Sequence, residues 1–137
     1  MALICDTGPL YAAMDVNDAD HVASARLLAD VDEPLIVPAP VLVELEWVGL
    51  SRGTPARDAA LAEVEDGNLA VAELTVADYA RIRELCNRYD DLRLGLVDAS
   101  VVAIAERYGE LRIATLDRRH FSVVRPRHVP AFRLLPD

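Results

Sequence analysis

Not one lysine occurs in the chain, and all fourteen basic side chains are arginine. The absence weighs against a phosphoacceptor receiver domain, which also gathers acids at strand ends but draws on a lysine there. Arginine forks suit bidentate contact with phosphate, although genomic base composition explains such a bias equally well. There are only two cysteines, Cys5 and Cys86. Neither has a CxxC partner or a histidine at zinc-finger spacing, so a structural zinc site and a disulfide framework are excluded, and two buried reduced thiols are expected. Aromatic residues are scarce at 5%, against 53% hydrophobic residues in all. The core must therefore be built from Ala, Val, Leu and Ile, and the abundance of Ala and Leu favours helix. Asp or Glu interrupts every apolar run well before membrane-spanning length. The opening MALICD meets an acid at residue 6 with no basic leader. A soluble, cytoplasmic protein is the expectation. Without repeats, low-complexity segments or linkers, the 137 residues read as a single domain, 1–137.

What is present in excess is acid. The formal net charge is −9, which by itself argues against a nucleic-acid partner. Acids that bind divalent cations, however, count far less once loaded.

Apolar runs and turn residues alternate along the chain. Residues 2–5 read as a buried strand ending at Asp6, after which Thr7, Gly8 and Pro9 turn into a helix. Asp18 or Asp20 can cap a second helix, with Val22, Ala25, Leu28 and Ala29 on its apolar side. Residues 35–37 read as a second strand. A helix from about Pro40 runs to Gly53, and another opens at Thr54 and Pro55 and ends at Gly67. Residues 69–74 read as a strand. Thr75 with Asp78 resembles a capping box for the next helix. Residues 97–108 form a helix that is apolar nearly all round, hence central, and residues 111–116 form a strand ending at Asp117. The proline-rich tail offers one or two edge strands. Strands alternating with helices imply an α/β fold: a mainly parallel sheet covered on both faces.

In such a sheet, ligands bind beyond the carboxyl ends of the strands. Asp6 and Asp117 follow strands, so both are expected on that edge. Asp98, at the start of its helix, points to the same edge, because a helix runs antiparallel to the strand it follows. Glu44 shares a helix face with Val41 and Val48, where a carboxylate is costly unless a cation or donor meets it. Each acid has a plainer role available. Asp6, Asp98 and Asp117 suit helix N-caps, and Glu44 suits an arginine pair. Together, four converging carboxylates repel one another and raise their pKa values unless a multivalent cation is present. An all-oxygen set favours Mg²⁺ or Mn²⁺ over zinc. The matching chemistry is metal-assisted phosphodiester hydrolysis, in which two cations about 4 Å apart activate water and stabilise the leaving oxygen. Thr7 and Thr115 are candidates for orienting the acids, or are simple turn and strand hydroxyls.

At these residues the sequence resembles the PIN-domain ribonucleases, specifically the VapC-type toxins of bacterial toxin–antitoxin pairs. The matching segments are ICDTGPL around Asp6, PAPVLVELEWVGLSRG around Glu44, LGLVDASVVAIAERYG around Asp98 and IATLDRRHFSVVRP around Asp117. They span nearly the whole chain in family order. The resemblance implies a three-layer α/β/α sandwich with a five-stranded sheet, and a Mg²⁺ or Mn²⁺ site on Asp6, Glu44, Asp98 and Asp117. It also implies an RNA substrate (a tRNA or ribosomal RNA), a homodimer, and a VapB-like antitoxin whose C-terminal segment covers an apolar groove and blocks the site.

Other residues divide between the site and the scaffold. Arg118 and Arg119, directly after Asp117, are candidates for phosphate contact or for a solvated helix face. His21, His120 and His128 read as packing or local hydrogen-bonding residues. Asp91 reads as a surface residue or loop cap. Trp47 and Leu50 are expected in the core, with a partner surface as the alternative. DTG also marks aspartic proteases, but those are β-rich and this chain is not. The remaining rival is a catalytically weak PIN scaffold that only binds RNA or antitoxin; the full set of four acids argues against it.

Overall fold

The computed structural model describes residues 1–137. Five strands form one parallel sheet: β1 (Leu3–Cys5), β2 (Leu35–Pro38), β3 (Leu69–Ala72), β4 (Arg112–Ala114) and β5 (Arg133–Leu135), in the order β3-β2-β1-β4-β5. The first strand is therefore the centre of the sheet, with Ile4 paired to Ile36 on one side and Ile113 on the other. Its three residues are fully buried. That is the continuous apolar signature of a strand covered on both faces.

Seven helices cover the sheet: α1 (Thr7–Met14), α2 (His21–Asp30), α3 (Ala39–Arg52), α4 (Ala56–Glu65), α5 (Val76–Arg88), α6 (Leu96–Tyr108) and α7 (Arg118–Phe121). Their ends follow local chemistry. Gly53 and Gly109 close α3 and α6 with φ of 70° and 69°, the left-handed conformation glycine adopts without penalty. The capping box of α5 is complete: Thr75 Oγ1 accepts from the Asp78 N–H, and Asp78 Oδ2 accepts from the Thr75 N–H. In α6, every residue from Ala99 to Ala105 is buried, so this helix forms the middle of one layer, as its apolar circumference predicts. No helix is long and apolar enough to cross a membrane.

The structure corrects the sequence reading at several points. The inward side of α2 runs through Ser24, Leu27 and Leu28, not through Val22 and Ala29, which are exposed. The small Ser24 is fully buried where α2 packs on α1, and it sets the helix rotation. Trp47 and Leu50 are not core residues; they are 71% and 73% exposed. The buried stripe of α3 is Val41, Leu45 and Gly49, spaced by four, which leaves Trp47 and Leu50 facing out. A Cβ on Gly49 would lie 2.8 Å from that of Ala56, so its absence lets α4 pack close. Strand β4 ends at Ala114, so Thr115 and Leu116 intervene before Asp117, and α7 is too short for periodicity to reveal.

Candidate active site

The carboxyl ends of β1 and β4 lie side by side at the centre of the sheet, where the strand order changes direction, the usual ligand position in such folds. The Asp6 N–H donates to the Ala114 carbonyl at 2.9 Å, extending the β1–β4 pairing by one residue. This places the Asp6 side chain beside Thr115, whose Oγ1 donates to Asp6 Oδ2 at 2.8 Å. The same hydroxyl accepts from the Asp117 N–H at 3.0 Å. Thr115 thus holds two of the acids in fixed relation.

A cleft of about 460 Å³ opens at this point, and Asp6, Glu44, Asp98 and Asp117 all line it. Of the three acids suited to N-caps, only Asp117 caps: its Oδ1 accepts from the His120 N–H at 3.0 Å. Asp6 occupies the N-cap position of α1 without a side-chain cap bond. Asp98 lies three residues beyond Gly95, the N-cap of α6. Glu44 is half-buried on α3 and borders both this cleft and an apolar groove.

Burial, more than mutual repulsion, acts on Asp6 and Asp98. Asp6 is 4% exposed, and its pKa is pushed up to about 7, chiefly by desolvation and further by the charges of Asp98 and Glu44. Hydrogen bonds from Thr7 and Thr115 only partly offset this. Asp98 is pushed up to about 6, again mainly by desolvation, with Asp117 and Glu44 adding to it and His120 opposing it. Asp6 Oδ1 and Thr7 Oγ1 are buried with no hydrogen-bond partner, an unusual state for polar atoms.

His120, expected to serve packing or local hydrogen bonding, does bond locally to Asp117, and that bond places it in the acid cluster. Its Nδ1 lies 3.0 Å from Asp98 Oδ2 and 2.7 Å from Asp117 Oδ2, while Nε2 lies 3.1 Å from the Leu92 carbonyl. Both ring nitrogens face oxygen atoms of the site or of the turn before α6. Ligand atoms of Asp98, Asp117 and His120 all fall within 4.8 Å of one another. Asp6 and Glu44 line the same cleft but lie outside this close group; the four carboxylates, with the unpartnered Asp6 oxygen, make an oxygen donor set that fits a hard divalent cation. The spacing of His120 three residues after Asp117, in line with one helical turn, was the available signal.

Sequence reasoning also missed Tyr11 and Arg52, both of which line the cleft. Tyr11 follows Thr7 by one turn of α1. Arg52 follows Glu44 and Val48 at intervals of four along α3, so all three share a face. Arg52 Nη1 donates to Asp18 Oδ2 at 2.9 Å, and its guanidinium lies 4.7 Å from the centre of the Tyr11 ring. Of the flanking arginines, Arg118 Nη2 donates to the Pro136 carbonyl, and both Arg118 and Arg119 are exposed. Asp91 is exposed in a short 3₁₀ turn, Asp90–Leu92. His21 and His128 bond the Ala12 and Glu110 carbonyls, as local structural residues.

Known proteins resemble the chain over its full extent. The sequence profile of the PIN domain matches residues 3–125. The ribonuclease VapC26 of Mycobacterium tuberculosis is 34% identical over 135 residues, covering 98% of this chain and all of that protein. The crystal structure of VapC20 from the same organism, described as a toxin cleaving the sarcin–ricin loop, superposes with a TM-score of 0.77 at 25% identity, over 84% of this chain and 89% of that one. The fold also matches a structure of VapBC2 from Rickettsia felis bound to a promoter DNA fragment, with a TM-score of 0.63 at 16% identity, over 98% of this chain and 97% of that one.

Proposed function

The chain belongs to the PIN-domain family and, within it, to the VapC type; on that premise we propose that it is an endoribonuclease, the toxin of a toxin–antitoxin pair, which hydrolyses phosphodiester bonds in RNA at the cleft of Asp6, Glu44, Asp98 and Asp117. The observation that carries this reading is the meeting of all four acids in one cleft, with a buried Asp6 oxygen left unpartnered.

In this reading Asp6, Glu44, Asp98 and Asp117 hold Mg²⁺ or Mn²⁺. When bound, the cation supplies Lewis-acid stabilisation of phosphoryl charge and an activated water. The protein's own part is to preorganise the acids. Thr115 fixes the Asp6 carboxylate through its hydroxyl hydrogen and anchors the Asp117 backbone through its oxygen. His120 holds Asp98 and Asp117 together. Burial of Asp6 keeps bulk water from competing for its oxygens. Structured RNA, a tRNA or ribosomal RNA, is the proposed substrate class.

Two partners complete the reading. Val43 and Trp47 of α3, with Tyr79, Leu96 and Val97, line an apolar groove of about 620 Å³. Exposed aromatics in such a groove suit a self-complementary dimer interface, and the proposed occupant is a second copy of the chain. The groove expected for the antitoxin is thus assigned to the dimer instead, and the C-terminal segment of a VapB-like antitoxin, basic in this reading, would block the acidic cleft.

The test is cleavage of RNA by the purified protein in Mg²⁺ or Mn²⁺. Wild type should cleave, EDTA should stop it, and Asp6→Asn should abolish it. Equal cleavage by wild type and Asp6→Asn would identify a contaminating nuclease and overturn the reading, leaving a binding scaffold.

A further inference from the structure

The arginines are not distributed like the acids. Seven of them, Arg52, Arg57, Arg81, Arg107, Arg112, Arg127 and Arg133, have a carboxylate within 4.0 Å. With 23 acids against 14 bases, pairing is the ordinary fate of an arginine here. Of the seven without a carboxylate partner, five lie in two short segments: Arg88 and Arg93 around the 3₁₀ turn, and Arg118, Arg119 and Arg125 in and after α7. All five are exposed.

These two segments form one corner of the molecule. The Arg125 N–H donates to the Tyr89 hydroxyl at 2.9 Å, and the Arg88 guanidinium lies 5.6 Å from the centre of the Tyr89 ring. His120 joins the corner to the cleft, with one ring nitrogen on the Leu92 carbonyl and the other on Asp98 and Asp117. Arg93 is the one non-glycine residue with positive φ, at 58°. A left-handed conformation at an arginine is uncommon and carries strain that some other requirement must offset. The turn contributes Asp90 and Asp91, and 118–125 contributes no acid, so the corner is net positive in a chain of net charge −9. Exposed guanidinium groups without carboxylate partners, on two segments that His120 ties to the acids of the cleft, fit a polyanion backbone.

We infer that this corner is the track for the RNA strand flanking the scissile bond, with backbone phosphates lying across Arg93, Arg119 and Arg125 and with Arg88 and Arg118 at its margins. The inference rests on the ribonuclease reading above. It extends that reading by assigning the strand a side of the cleft, away from Arg52 and the α1–α2 rim. It also locates the electrostatic attraction that the overall charge denies.

The experiment uses the full chain in an Asp6→Asn background with Mg²⁺, so that RNA stays intact, and follows the anisotropy of a fluorescein-labelled oligouridylate across a salt titration. Adding Arg93→Gln and Arg125→Gln should weaken binding about five- to ten-fold at 0.1 M salt and reduce the slope of log K against log salt by about 1.4, the value for two lost single-strand phosphate contacts. The corresponding Arg→Lys pair should keep the slope. A control pair of the same charge change, Arg26→Gln with Arg83→Gln, should leave slope and affinity in place. Unchanged affinity and slope in the folded Arg93→Gln, Arg125→Gln protein overturns the inference, as does failure of the lysine pair to keep the slope or an equal loss in the control. Degradation of the RNA by the Asp6→Asn background would instead overturn the four-carboxylate reading, separately from the arginine result.

Discussion

Asp6 is costly to bury as a charge, and the cost has a measurable sign. Its folded pKa of about 7 lies above the ordinary 3.8, so between those values the folded protein holds a proton that the unfolded chain has released. In EDTA, stability contributed by this group is therefore present at low pH and is lost as pH rises from about 4 through 7; Asp98, raised to about 6, acts in the same direction. Asp6→Asn should raise the melting temperature of metal-free protein by roughly 3–10 °C at pH 8 and leave it unchanged near pH 4, as read by thermal denaturation. Thr115→Val removes the donor to Asp6 and the acceptor for the Asp117 N–H together. It should weaken activation by Mg²⁺ about ten- to hundred-fold, with the curve restored in part at high metal. That Asp6, Asp98 and Asp117 share one cleft was legible in the sequence because strand ends and helix starts mark one edge of a parallel sheet, and Glu44 joins them from the apolar face of α3. His120 was not legible, since a histidine three residues past an aspartate is equally often a capping partner, and here it is both. Arg52 and Tyr11 escaped because neither type is needed by the chemistry; only the shared helix faces placed them.

The helix α3 performs two tasks on two faces. Its buried stripe of Val41, Leu45 and Gly49 fixes it against the fold, and its outer face presents Val43, Trp47 and Leu50 to solvent. Val43 and Trp47 belong to a contiguous apolar groove with Leu96 and Val97, and such patches mark partner surfaces. Trp47→Glu should convert the proposed dimer to monomer in sedimentation velocity without lowering the melting temperature of the monomer, because the side chain supports no core contact. The sequence reading placed both residues inside on the general preference of large apolar groups for burial. That preference gave no help with the rotation of a helix that is apolar on most of its circumference. The same difficulty affected α2, where Ser24, a polar residue, is the one fully buried position. Elements bounded by chemistry fared better: Thr75 with Asp78 opened α5, and Gly53 and Gly109 closed α3 and α6, where expected.

For the molecule as a whole, a folded state that gathers four carboxylates should bind cations more tightly than the unfolded chain does. Millimolar Mg²⁺ or Mn²⁺ should therefore raise the melting temperature, by the equivalent of about 2.7 kcal/mol at a hundred-fold excess over Kd. An unshifted transition in differential scanning calorimetry would argue against a preformed site. The topology was legible as an alternation of strands and helices, but the placing of β1 at the centre was not, because strand order depends on crossovers that composition leaves open. That central position also governs when the protein becomes dangerous. Asp6 acquires its hydroxyl donor from a residue 109 positions later in the chain. A ribosome that has translated Asp6, Glu44 and Asp98 still holds a polypeptide with no Thr115 to align them, and long-range pairing of this kind forms late and slowly. Synthesis itself is thus a period of safety, in which the cell carries the nascent toxin before the toxin can cut anything.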